Sequence, residues 1–168
     1  NDIKLKNTFM VKFKTLIAAF LLLVSISISA QEQGFQFKMV KEINTSPVKN
    51  QQRTGTCWSF ATTSFVETEL MRMGKPVFDI SEMFFVRHAY ASKARDYVRY
   101  QGGNNFGQGG QAHDVMDVIK AYGMVTEQEY SGLNYGTDFH AHSELAAVLN
   151  AYLDAVVKNP NKALTTAW

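Results

Sequence analysis

Residues 47–60 read Pro47-Val48-Lys49-Asn50-Gln51-Gln52-Arg53-Thr54-Gly55-Thr56-Cys57-Trp58-Ser59-Phe60. The stretch changes character in its middle. Up to Gly55 it is rich in Asn, Gln, Thr and Gly and reads as a loop; from Thr56 the apolar residues recur at helical spacing. Cys57 therefore falls where a loop becomes a helix. The first N–H groups of a helix lack intrahelical partners, and its dipole is positive at that end, so a thiol placed there is drawn toward its thiolate. A thiolate is the competent sulfur nucleophile. Gly55 lets the backbone pass close to whatever is attacked. Gln51 carries an amide donor six residues before the sulfur. With the Cys57 N–H it could hold the oxyanion formed when a carbonyl is attacked.

Outward from this stretch the chain reads as mostly helical. The first helix is expected from Thr56 to a stop at Gly74 and Pro76, with Ala61, Phe65 and Met73 near one face and Phe60, Val66 and Leu70 flanking them. A second starts after Asp79 or Ser81 and runs through Tyr90 toward Tyr97, with Ser81 as its cap and Phe84, Phe85 and Tyr90 as core. Gly102 to Gly110 is a loop with five glycines. A third helix runs from Gln111 or Ala112 to Tyr122, with Val115, Val118, Ile119 and Tyr122 on one face and Gly123 as its C-terminal cap. A fourth covers about Ser143 to Val157, with Leu145, Val148, Leu149, Tyr152 and Val156 apolar, and ends at Asn159-Pro160. Residues 31–43 read as an extended arm, and strands are few.

The N-terminal residues have a different composition. Lys12 and Lys14 follow Met10, an apolar run of about 13 residues extends from Leu16 to Ile28, and Ser29-Ala30 close it. That is the layout of a secretory signal peptide, too short for a spanning helix. Residues 1–9 are read as upstream sequence, so residues 1–30 are set apart from a folded part spanning 31–168. The expectation is an exported protein, periplasmic or extracellular, whose mature part does not engage a membrane. The segment 1–30 takes four of the 17 basic residues and one of the 15 acidic ones, so the net charge of +2 belongs to it. No basic block or aromatic-basic stripe is present, which gives no support to nucleic-acid binding. Cys57 is the single cysteine, unusual in an exported chain because oxidising compartments favour pairing.

The motif resembles the papain-like cysteine peptidases. Their local signature is C-G-[SA]-C-[WY], and here Thr54-Gly55-Thr56-Cys57-Trp58 stands in its place. The resemblance implies that Cys57 is the nucleophile and Gln51 the oxyanion-hole glutamine, with Trp58 the aromatic neighbour and a substrate-binding residue. Ile80-Ser81-Glu82 looks like the L-S-E segment of the family. Gly107-Gln108-Gly109-Gly110 looks like its C-N-G-G segment, whose two glycines line the substrate groove, here Gly109 and Gly110. The implied fold is α+β, with this chain holding mainly the helical N-terminal lobe. The implied substrate is a peptide, and neither a cofactor nor a metal is called for. Family members usually carry bonded cysteines at the positions of Thr54 and Gly107. The loss of both resembles the bleomycin hydrolase and aminopeptidase C branch, as does the segment from Gly132 to Lys162; that branch implies removal of N-terminal residues and a hexameric assembly.

A thiol peptidase also needs a base. The family's histidine and asparagine lie roughly 130–150 residues after the cysteine, which is past Trp168, so a β-rich lobe is expected to be missing and the 168-residue chain to be inactive by itself. Other readings are an inert core thiol in a non-catalytic binding protein, and another acyl-transfer enzyme such as a transglutaminase-like protein. Asp138, His140, His142 and Glu144 invite a metal reading, but they precede a helix on which they would diverge, so a solvated helix start is expected. Glu67 and Glu69 are expected on a solvated helix face, since residues two apart on a helix do not meet.

Overall fold

The computed structural model describes residues 10, 13, 14, 16, 17, 34–134 and 136–159. The expected leader, Gln31 to Gln33, Tyr135 and the end of the branch-like segment lie wholly or mostly outside these residues. The chain divides between Glu42 and Ile43. In the first unit, residues 35–42 have no regular structure, and Phe35 and Phe37 are both exposed. Among the described residues no helix is long and apolar enough to cross a membrane.

Among the described residues the second unit has four helices: α1 (Cys57–Arg72), α2 (Glu82–Arg99), α3 (Ala112–Tyr122) and α4 (Ser143–Lys158). Their ends follow local chemistry. Ser81 caps α2 by accepting the Phe84 N–H at 3.1 Å. Gln111 and Asp114 form a reciprocal capping box at the start of α3, and Gly123, at φ +81°, ends it while its N–H bonds the Ile119 carbonyl. Among the described residues β structure is limited to two isolated bridges, Arg53 with Ala141 and Ile80 with Thr126.

Helix α2 is the centre of the packing and touches each of the other three, while α1 and α3 also touch each other. The core consists of Trp58 from α1, Met83, Phe85, Val86, Ala89 and Tyr90 from α2, Val115 and Val118 from α3, and Ile80 from the loop before α2. Phe85 and Val115 are fully buried. Phe84 packs edge-on against Phe85, His88 and Tyr130, so this aromatic cluster is core as its sequence indicated.

Two faces differ from the periodicity reading. On α1, Phe65 and Met73 are each 62% exposed and Ala61 is exposed, whereas Ser59, Thr62, Thr63 and Glu67 are buried. Small side chains on this face allow α2 to approach closely, and two of the hydroxyls find carbonyl partners. Ser59 Oγ donates to the Glu82 carbonyl at 2.9 Å, and Thr62 Oγ1 to the Trp58 carbonyl at 2.7 Å. On α4, Leu153 and Val156 are buried while Val148 lies largely exposed. A cleft of about 420 Å³ separates parts of α2 and α4, walled by Val86, Tyr90, Phe106, Leu149 and Leu153.

Candidate active site

The loop before α1 is anchored by a half-buried ionic cluster. Lys49 Nζ lies 3.0 Å from Glu67 Oε1, 2.9 Å from Glu82 Oε1 and 2.6 Å from Asp79 Oδ1, and also donates to the Ile80 carbonyl. Burial works against the Lys49 ammonium, but the hydrogen bonds to Asp79, Glu82 and Glu67 outweigh it and hold the group well above the ordinary lysine range. Burial pushes the Glu82 carboxyl up, and Lys49 offsets this only in part. Glu67, expected on a solvated face, is instead 2% exposed, and Lys49 and the Ile80 N–H (2.8 Å) both bond its Oε1. Glu69 does lie outside, paired with Arg72. A cleft of about 530 Å³ lies against the cluster and is bordered by Glu127 and His140. Cys57 lines neither cleft.

Two residues beyond Lys49 the loop folds on itself. Gln51 is half-buried, its Nε2 donating to the Thr54 carbonyl at 2.6 Å, and Thr54 Oγ1 returns a bond to the Gln51 carbonyl at 2.8 Å. A primary amide has two N–H donors, so Gln51 retains one beyond the bond that fixes it. Gln52 takes a left-handed backbone, φ +59°, stabilised by its N–H bonding Asn50 Oδ1 at 2.8 Å. Its side-chain carbonyl accepts the His140 N–H, and the Arg53 N–H bonds the His140 carbonyl at 3.1 Å. His140 and His142 are therefore drawn inward, 7% and 5% exposed, and do not form the solvated helix start that was expected. Among the described residues no three His, Cys, Asp or Glu side chains gather as a metal ion would require.

Cys57 is the first residue of α1, and its side chain is exposed. The residue that would cap the helix, Thr56, is fully buried, and its hydroxyl meets Thr54 Oγ1 at 2.5 Å instead of any helix amide. The helix start thus carries no side-chain cap. The Ser59 N–H turns back to the Thr56 carbonyl at 2.9 Å.

The neighbour of Cys57 fixes the glycine loop. Trp58 is buried, and its Nε1–H donates to the Gln108 carbonyl at 3.0 Å. Gly110 lies against the indole; a Cβ there would sit 2.5 Å from Trp58 Cε2, so only glycine fits. Gly109 is exposed, with open space on the side where a Cβ would lie. The Lys93 ammonium donates to the Gly109 carbonyl and sits 5.1 Å from the centroid of the Trp58 ring. Burial lowers the Lys93 ammonium, and Asp114 partly restores it. The structure thus brings Trp58 and Gly110 into contact with each other, with Gly109 and Cys57 exposed on adjoining segments. Gln108, Lys93 and the Lys49 cluster were not singled out from sequence. For Gln108 the only signal was its place between two glycines of a segment already recognised.

The histidines are engaged elsewhere. His88 stacks on Tyr122 at 4.1 Å, His113 lies exposed beside Asp114, and His140 and His142 are buried with their rings 5.8 Å apart. Burial lowers His140, His142 and His88, which disfavours their charged forms.

The described residues form a helical lobe that presents one exposed thiol on the first residue of a helix. The family model described as "Papain family cysteine protease" matches residues 33–164, and the chain belongs to that family. It is 37% identical over 70 residues to "Cysteine proteinase 2" of Zea mays, covering 34% of this chain and 19% of that protein. It is 24% identical over 118 residues to "Cysteine proteinase 1, mitochondrial" of Saccharomyces cerevisiae, covering 60% of this chain and 24% of that protein. The chain therefore spans about a fifth to a quarter of the length of these curated relatives.

Proposed function

We propose that this chain is the nucleophile-bearing part of an exported cysteine peptidase, and that Cys57 attacks the carbonyl of a peptide bond. The observation that carries the reading is the exposed Cys57 side chain on the first residue of α1, whose cap residue has turned its hydroxyl away. The thiolate adds to the carbonyl carbon, and the oxyanion is met by the Cys57 N–H and the remaining Gln51 N–H. The C–N bond breaks and the amine leaves with the proton that the base had taken from the thiol, giving a thioester that water hydrolyses. Gly109 and Gly110 line the groove on which the peptide backbone lies. The base is a histidine outside this chain, since all four of its own histidines have other surroundings.

The missing cysteines at positions 54 and 107 and the Gly132–Lys162 segment support the bleomycin hydrolase and aminopeptidase C branch. In that reading the full-length enzyme removes N-terminal residues and assembles as a hexamer. The full-length protein is expected to release single residues from a peptide with a free α-amino group and to leave the N-acetylated peptide intact. Cys57→Ser should abolish turnover, and Gln51→Ala should lower kcat by about 10²–10³. The 168-residue chain alone should react rapidly with iodoacetamide at pH 6 but show no turnover. A thiol that labels no faster than in the unfolded chain would favour an inert, non-catalytic module.

A further inference from the structure

The glycine loop and the loop before Cys57 lie about 50 residues apart in sequence, and a single residue joins them twice. The Gln108 side-chain carbonyl accepts the Gly55 N–H at 2.7 Å, and the Gln108 main-chain carbonyl accepts the Trp58 Nε1–H at 3.0 Å. These two partners stand on either side of Cys57, one two residues before it and one immediately after. The approach is close as well as bonded, since a Cβ on Gly55 would lie 3.0 Å from the Gln108 Cβ. On the far side of the same loop, Lys93 holds the Gly109 carbonyl and Gly110 sits on the indole. Thr54 and Gly107, where the resembled enzymes carry a covalent bridge, are the immediate chain neighbours of Gly55 and Gln108.

We propose that Gln108 is a positioning residue for the Cys57 thiol, doing with two hydrogen bonds what a cross-link does in relatives that have one. Through Gly55 it sets the direction in which the loop delivers the chain to the first turn of α1. Through Trp58 it fixes the rotation of that turn, and so the direction of the thiol relative to the helix-start N–H groups. The main-chain bond to Trp58 does not depend on the side chain, so a substitution at 108 isolates the Gly55 arm. The inference rests on the peptidase reading, because positioning matters only if the thiol reacts.

The test uses Gln108→Met, which keeps the length but has no strong acceptor, and Gln108→Glu, which keeps the acceptor, both in the 168-residue chain. Two quantities are followed: exchange of the Gly55 amide by NMR, and the pH profile of Cys57 alkylation by iodoacetamide. In Gln108→Met the Gly55 amide should exchange at least ~10-fold faster, from loss of its bond. Alkylation at pH 6 should slow several-fold, with the profile displaced to higher pH. Gln108→Glu should retain Gly55 protection. An unchanged Gly55 amide in Gln108→Met would overturn the bond, and faster exchange with an unmoved alkylation profile would overturn the positioning role. Failure of the peptidase reading is seen separately, in the parent chain, as a Cys57 profile no different from that of the unfolded chain; the positioning role then falls with it.

Discussion

At the scale of single residues, the site depends on side chains whose polar groups are diverted from their common uses. Thr56 stands at a helix cap, where a hydroxyl usually accepts an amide N–H, yet it bonds Thr54. Trp58 is mostly apolar surface, but its one N–H decides where the glycine loop docks. The contact with Gly110 is the most restrictive of these. Gly110→Ala would drive a methyl group to 2.5 Å from the indole, and the stiff ring cannot yield as a flexible side chain would. The expected outcome is a destabilisation of about 1–3 kcal/mol, typical of overpacking, measured by chemical denaturation. It should be accompanied by faster exchange of the Trp58 indole N–H. Gly109→Ala, with open space around the added carbon, should leave stability within about 0.5 kcal/mol of the parent.

At the scale of elements, the loop carrying Gln51 is held less by its own turns than by Lys49, which fastens it to α1 through Glu67 and to α2 through Glu82. Removing one partner of a buried ion pair leaves the other charges uncompensated, and this costs more than the pair contributes. Lys49→Met should therefore destabilise the chain by about 3 kcal/mol, toward the low end of that range because the lysine is partly exposed. Lys49→Met combined with Glu67→Gln should recover part of the loss, which a double-mutant cycle would measure. The ends of the helices were legible in the sequence, because Ser81, Gln111 with Asp114, and Gly123 act within a few residues of themselves. The buried face of α1 was not, because Phe65 and Met73 have the right spacing but no partner in the packing. Serine and threonine are buried in their place for the closeness they permit.

At the scale of the whole molecule, acidic groups from several segments converge around a single lysine. Glu127, in the turn after α3, is held by its N–H on the Asp79 carbonyl at 2.8 Å. Burial, then the charges of Glu82 and Asp79, raise its carboxyl to about 7. A carboxyl raised on folding binds its proton more tightly in the folded chain than in the unfolded one. Its contribution is fully present below the unfolded value of 4.5 and is lost as the pH rises through about 7. Stability should therefore fall between those limits. Glu127→Gln should flatten the decline and raise Tm at pH 8 by about 2–4 °C, with little effect at pH 4.5. Thermal melts across that range would show a parallel loss in both proteins if Glu127 is not responsible.

The sequence by itself determined where the helices begin and end, that Cys57 opens one of them, and the motif that places the chain in its family. These depend on caps, glycines and periodicity acting over short distances. Only the tertiary structure decided that Glu67 and the two histidines before α4 are buried, that α1 turns its small polar face inward, and that Gln108 clasps both sides of the thiol. Each of those depends on partners between 13 and 88 residues away along the chain, where a side chain's surroundings are set by packing and not by its neighbours in sequence.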